Sequence, residues 1–311
     1  MYNEAPNVDR FFERLVPVLE RLGLSYEIVC VDDGSRDGTL ERLLAHRRRN
    51  PAIKVLELAR NFGKEIALSA GLEHACGAAV VPIDADLQDP PELIPELVAR
   101  WREGYEVVYA IRRSRRGESW LKRVTADAFY RVLDRLAEFP VPRNTGDFRL
   151  LDRRVVEALR RLPERTRFMK GLFAWVGFRQ TAVVYDREPR HAGRTTWSYW
   201  RLWNLALEGI TSFSSAPLKL ASYAGLGLSL LAFFYAAFLV ARTLLYGADV
   251  PGYASLMVVI LFLGGVQLVT LGILGEYLGR VFIEVKGRPL YLIRETYGLE
   301  PAGCEAPPER A

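Results

Sequence analysis

Acidic side chains gather in three short motifs of this chain. The first, VVPIDAD, ends on Asp84 and Asp86 with Ala85 between them. In an extended segment, residues i and i+2 face the same way, so both carboxylates can reach one cation. Paired hard oxygens suit Mg2+ or Mn2+, ions that usually bridge on to substrate phosphates. The second motif, VDDGSRDGT, puts Asp32 and Asp33 at the end of an apolar run. Ser35 and Asp37 there are fit to cap a following helix. That leaves Asp32 and Asp33 as hydrogen-bond acceptors for a base or ribose. The third, NTGDFRLLDRR, sets Asp147 between a glycine and an aromatic. A carboxylate there, facing the cation pair, is a candidate base. Basic residues form a fourth group: Arg187, Arg190, His191 and Arg194, beside Thr195, crowd the loop YDREPRHAGRTTWS. Two readings fit it equally. Guanidinium forks and a hydroxyl grip phosphate, and juxtamembrane basic residues attract anionic lipid. Neither GxGxxG nor GxxxxGK[ST] occurs, so the common dinucleotide and P-loop readings lack their fingerprints.

Alternating elements must position these groups. SYEIVCVDD, IKVLELA, AAVVPIDAD and YEVVYAIR read as strands. GTLERLLAHRRR, KEIALSAGLEHA and PPELIPELVARWREG read as helices. This alternation predicts an α/β fold with a mostly parallel sheet and helices on both faces. Such sheets bind ligands beyond the carboxyl ends of their strands. The expected strand ends carry Asp32 and Asp33, Arg60 and Asn61, then Asp84 and Asp86, so acids and a basic residue converge on one edge.

Composition changes after about Tyr199. Leu220 to Ala241 and Val250 to Gly275 contain no charged residue. Each run exceeds the ~20 residues that a helix needs to cross a bilayer core. Two in tandem predict a membrane hairpin. Its turn, TLLYGADVPGY, holds no lysine, whereas Lys219, Arg280, Lys286 and Arg288 flank it outside. The positive-inside rule therefore places both hairpin ends in the cytoplasm, although Arg242 must then snorkel to the far interface. The expected divisions are a catalytic domain over 1–196, an interfacial helix over 197–216 rich in tryptophan, the hairpin over 217–276 (spans about 220–241 and 251–275), and a cytoplasmic segment over 277–311. A formal net charge of +5 suits anionic partners, including membrane surfaces and phosphates. Cys30, Cys76 and Cys304 are widely spaced with no CxxC. That argues against a disulfide framework or structural zinc and fits a reducing, cytosol-facing compartment.

Taken together, VDDGSRDGT, RNFGKEIALSAGLEHA, DADLQDPPELI, NTGDFRLLDRRVV and RFMKGLFAWVGF resemble glycosyltransferase family 2. The likeness is to bacterial polyprenyl-phosphate glycosyltransferases, relatives of dolichol-phosphate mannose synthase, and it runs from Tyr2 to about Arg288. It implies a GT-A (Rossmann-like) fold, a nucleotide-diphospho-sugar donor such as UDP-glucose or a related UDP-hexose, a Mg2+ or Mn2+ cofactor and a polyprenyl phosphate acceptor. It also implies residence in the bacterial plasma membrane and a homo-tetramer, with no nucleic acid partner. By this likeness Tyr2, Glu4, Asp32, Asp33, Arg60, Asn61, Lys64 and Asp84 bind the donor. Asp84 and Asp86 hold the metal, Asp86 more directly, and Asp147 is the proposed base. Arg187, Arg190, Arg194 and Thr195 hold the acceptor phosphate. Relatives often carry Ser-Lys at Thr195-Thr196, a lost charge that Arg194 can replace.

The opening residues MYNEAPN read as a helix start with Pro6 in its first turn. In the family an apolar strand runs into this motif, so the resemblance implies a first strand, roughly ten residues, ahead of Tyr2. The chemistry expected is an inverting displacement at the anomeric carbon. A processive polysaccharide synthase would carry QxxRW, which does not occur. A transferase with a soluble acceptor would not need the hairpin, and a degenerate membrane scaffold would not need Asp84, Asp86 and Asp147.

Overall fold

A computed structural model describes residues 1–112, 145–162, 164–165, 167, 169–185, 214, 216–247 and 252–299. Helix α1 (Ala5–Arg21) starts with Pro6 in its first turn, as expected, and buries Val8, Phe11, Phe12, Leu15 and Val18. Side chains of this size each gain about 1.5–3 kcal/mol when fully buried, so this face fixes the helix on the sheet. Strand β1 (Ile28–Asp32) follows, then α2 (Thr39–Arg49), β2 (Ile53–Leu58) and α3 (Lys64–His74). β1 and β2 pair in parallel from Ile28↔Ile53 to Asp32↔Glu57, so both point their carboxyl ends at one edge. Met1 lies alongside β1: its amino group donates to Val31 O (2.5 Å), and Asp33 N donates to Met1 O (2.8 Å).

The expected strand AAVVPIDAD is cut short. Only Ala79–Val80 (β3) pairs, and Asp84 and Asp86 lie in the loop and turn that follow. Pro82 has no N–H to donate, so the ladder cannot continue through it. A 3-10 turn at Pro91–Leu93 leads into α4 (Ile94–Arg102) and β4 (Val107–Arg112). After the undescribed residues come β5 (Thr145–Asp152), α5 (Arg153–Arg160), α6 (Met169–Trp175) and β6 (Gln180–Tyr185).

The strands form two sheets, each with parallel and antiparallel pairs, where one mostly parallel sheet was expected. The second group of strands runs β3-β5-β4-β6. β4 is parallel to β6, while β5 is antiparallel to both β3 and β4. This reversal has a use. An antiparallel β5 presents its first residues, including Asp147, at the edge where β4 ends.

Two long apolar helices come next, α7 (Ala216–Tyr246) and α8 (Tyr253–Lys286). Pro217–Tyr246 and Leu256–Lys286 contain 18-residue stretches of mean hydropathy 2.1 and 2.5 and are long and apolar enough to cross a membrane. α8 runs on to Lys286, past the expected end of the span at 275. Its last turns touch the α/β part, where Arg165 N donates to Glu284 Oε1 (2.8 Å). A strand not foreseen in the sequence follows: β7 (Ile293–Tyr297) pairs antiparallel with β2 and completes the order β1-β2-β7. The interfacial helix expected over 197–216 lies outside the described residues save for Ser214 and Ala216. Cys30 is free and buried, while Cys76 is disulfide-bonded, a departure from wholly reduced cysteines.

Candidate functional site

Two adjoining features occupy the carboxyl edge. One is a cavity of about 370 Å³, within the range typical of small-molecule sites. Asp32 enters it from the end of β1, Arg60 and Asn61 from the loop after β2, and Tyr2 from the start of the chain. Asp32 is almost fully buried; its Oδ2 accepts from Ser35 N (3.2 Å), and its buried Oδ1 has no partner among the described residues. An unpartnered buried acceptor is costly unless a ligand satisfies it. The Arg60 guanidinium lies over the Phe62 ring, 4.0 Å from its centroid, a cation–π contact that steadies it. Gly34 makes the turn possible. Its φ is +71°, and a Cβ there would stand 2.7 Å from Arg60 C. Only glycine lets the two loops approach this closely.

Asp33 and Glu4 do not line this cavity. Both oxygens of Asp33 are spent on the loop after β2, accepting from Phe62 N (2.7 Å) and Gly63 N (2.9 Å). Adjacent residues of an extended chain face opposite ways. Asp32 faces the cavity, and Asp33 turns back to clamp the segment that carries Arg60, Asn61 and Lys64. Glu4 accepts from Asn7 Nδ2 (2.6 Å) at the start of α1.

The other feature is a charged cluster. Lys64, the first residue of α3, places its Nζ 2.6 Å from Asp84 Oδ2 and 2.7 Å from Asp147 Oδ2. Asp147 reaches the cluster through a bulge. Between the paired positions Tyr109↔Arg149 and Ile111↔Thr145, β5 holds Gly146, Asp147 and Phe148 against Ala110 alone. Bulges of this kind bend a strand and redirect a side chain. The Asp147 side chain is 12% exposed, and its buried Oδ1 has no partner among the described residues. Burial raises its affinity for a proton, but the positive charges of Lys64 and Lys170 outweigh it and hold the carboxyl below its ordinary range. Burial likewise works against the charge on Lys64, yet Asp84 and Asp147 together keep the ammonium above its ordinary range.

Two further groups belong here that sequence reasoning passed over. Burial, aided by the negative charge of Asp147, pushes Glu65 up to about 7; its Oε2 accepts from Met169 N (3.1 Å). Arg149 shares a strand with Asp147 and stacks 4.0 Å from the Phe173 centroid, with burial pushing it down to about 10. The i,i+2 spacing of Asp147 and Arg149 is the sequence signal that could have found the second.

Asp86 closes its own turn, with Oδ1 accepting from Gln88 N (3.1 Å). Among the described residues no group of three or more His, Cys, Asp or Glu side chains forms a metal cage. The chemistry of the Asp84 position nevertheless fits a cation: a positive nitrogen already stands between two carboxylate oxygens. Arg187, Arg190, Arg194 and Thr195 lie outside the described residues.

Comparison with known proteins agrees with this architecture. Residues 1–160 match glycosyl transferase family 2, and residues 216–281 match the GtrB C-terminal hairpin. An uncharacterized glycosyltransferase of Synechocystis is 63% identical over 96% of this chain and 94% of its own length. The bactoprenol glucosyl transferase of Shigella phage SfV is 47% identical over 94% of this chain and 96% of its own, and the SfII prophage enzyme of Shigella flexneri is 46% identical over 96% of both. The two apolar helices associate the protein with a membrane. Its α/β part has the GT-A architecture. The chain belongs to glycosyltransferase family 2 and is a glycosyltransferase.

Proposed function

We propose that this enzyme transfers a hexose, glucose first among the candidates, from a nucleoside diphosphate sugar to a polyprenyl phosphate. One observation carries the reading. The charged cluster and the membrane-length hairpin are tied together twice, by the continuous chain and by β7, which returns from α8 to pair with β2. An acceptor whose chain stays in the bilayer requires a site held at the bilayer surface. The similarity to enzymes named bactoprenol glucosyl transferases supports both glucose and that acceptor.

In this reading the cavity beside Asp32 takes the nucleoside, and the diphosphate extends toward Asp84. Asp84 and Asp86 would hold a divalent cation, Mg2+ or Mn2+. A bound cation neutralises charge that develops on the leaving diphosphate. Lys64 keeps Asp84 and Asp147 in place while the donor is absent, then turns to the diphosphate. An acceptor phosphate oxygen attacks the anomeric carbon from the face opposite the diphosphate. The new carbon–oxygen bond forms as the old one breaks, the nucleoside diphosphate departs with the electron pair, and the configuration inverts. A phosphate monoester has its second pKa near ~6 and is largely ionised at neutral pH, so little proton removal is needed. A carboxyl held below its usual range is also a weak base. Asp147 therefore orients the acceptor rather than deprotonating it. Arg187, Arg190, Arg194 and Thr195 are proposed to receive its phosphate, and the hairpin to hold the 1–196 domain on the cytoplasmic side.

The test is label transfer. Full-length enzyme is incubated with undecaprenyl phosphate and radiolabelled UDP-glucose, UDP-N-acetylglucosamine or GDP-mannose, and the organic phase is counted. Label should enter that phase only when the lipid phosphate is present, and best from UDP-glucose. Equal label without the lipid contradicts the reading.

A further inference from the structure

Strand β7 does more than extend the sheet. Its register with β2 shifts by one residue: Glu57 pairs with Glu295, and Leu58 pairs with Ile293, which leaves Arg294 as the extra residue between them. An extra residue in one strand is a bulge, and bulges re-aim side chains. This one turns Arg294 into the cavity that also receives Asp32 and Arg60. Its guanidinium donates to Glu57 Oε1 (3.1 Å) and Ala59 O (3.2 Å). Those bonds fix the plane of the group, yet its side chain remains 62% exposed, leaving donor capacity and a flat face open to a ligand. Glu57 is itself 7% exposed, so the anchor is a buried carboxylate rather than a surface contact. Backbone bonding secures the same place, since Ala59 N donates to Leu292 O (2.8 Å).

Lys64, Asp84 and Asp147 are not among the residues that line this cavity. The reacting end of a donor thus lies outside it, and the cavity holds the other end. We propose that Arg294 is a positioning residue for the nucleoside of the donor, so that the donor pocket is complete only when the strand returning from the membrane hairpin is docked on β2. The inference rests on the reading of this cavity as the nucleoside site. A nucleobase offers what the fixed guanidinium can use: ring carbonyl oxygens as acceptors and a π face for stacking. Arginine suits both contacts, whereas lysine offers only a point charge.

The experiment uses full-length protein in detergent micelles, with UDP and GDP as calorimetric probes and donor kinetics alongside. R294A should weaken UDP binding by about tenfold or more, the usual scale for losing a charged hydrogen bond. R294K should recover only part of that loss. The kinetic effect should fall on KM for the donor more heavily than on kcat, with KM for the lipid phosphate unmoved. A merely structural role predicts instead a lower Tm and matched losses for donor and lipid. Unchanged UDP affinity in a folded R294A overturns the inference. So does full recovery of binding in R294K, which would reduce Arg294 to a charge. If wild-type protein binds neither UDP nor GDP, the nucleoside reading of the cavity falls, and this inference with it. Normal wild-type binding alongside normal R294A binding removes only the role of Arg294.

Discussion

Replacing Lys64 by methionine keeps an unbranched side chain of nearly the same length and removes its charge. In the wild-type protein the ammonium stands 2.6 Å from Asp84 Oδ2 and 2.7 Å from Asp147 Oδ2. Those oxygens are therefore about 5 Å apart at most, and without the ammonium they repel by about 3 kcal/mol at an effective dielectric near 20. Lys64 is 53% exposed, so water screens the pair, and about 1–2 kcal/mol is the fitting figure. Lys64 must also release Asp84 before a divalent cation can bind there. Its loss should thus tighten Mn2+ binding to the donor-free enzyme by roughly tenfold, the equivalent of about 1.4 kcal/mol. UDP affinity should move the other way, because Lys64 no longer reaches the diphosphate. The EPR signal of free Mn2+, titrated with enzyme in the presence and absence of UDP, reads both effects. Mn2+ binding that is unchanged or weaker in donor-free K64M refutes the reasoning. Wild-type enzyme that never binds Mn2+, even with UDP, removes the metal itself.

Asp147→Asn should lower kcat by a similar factor at roughly pH 6 and roughly pH 8.5, because an orienting carboxylate is needed at both; a loss confined to one limb of the pH profile restores the general base. Glu65 titrates near 7 in the folded protein, above its ordinary 4.5. The folded state then holds the proton more tightly than the unfolded chain, so this group's contribution is fully present below about pH 4.5 and is lost as pH rises through about 7, by about 3 kcal/mol at most. E65Q should flatten the fall of Tm across that window, and parallel Tm curves for the two proteins would contradict the burial argument. Gly34→Ala forces a side chain into a left-handed φ and onto the Arg60 backbone. Beyond a strain of about 1–2 kcal/mol, it should raise the donor KM by displacing Arg60 and Asn61; an unchanged KM would show that the two loops do not need this approach.

Motif chemistry was legible in the sequence where it depended on strand ends. Asp32, Arg60 and Asn61 stand just at or beyond the ends of β1 and β2, where the alternation of apolar runs and charged helices put them, whereas Asp84 lies past the short β3 and Asp147 in the bulge of β5, so their meeting at Lys64 did not follow from that alternation. The reversal of β5 was not legible, because the residue pattern of a strand covered on both faces does not show which way it runs. Pro82 carried a warning that β3 would stop before Asp84, and adjacent Asp32 and Asp33 could not both face one ligand. β7 was hidden for another reason. IRETY is short, charged and mostly exposed, so it lacks the alternation by which a strand is recognised. Its charges also protect an edge from pairing with other chains. Arg294 depends on a one-residue register shift that only the paired strands reveal.

The central claim is that a lipid phosphate oxygen displaces a nucleoside diphosphate from the anomeric carbon. Tandem mass spectrometry of the lipid product, with NMR of its anomeric proton, tests it most directly. The account predicts undecaprenyl phosphate bearing one hexose through a single phosphate, with the anomeric configuration opposite to that of the donor. A product with a diphosphate linkage, or one that retains the donor's configuration, would contradict it.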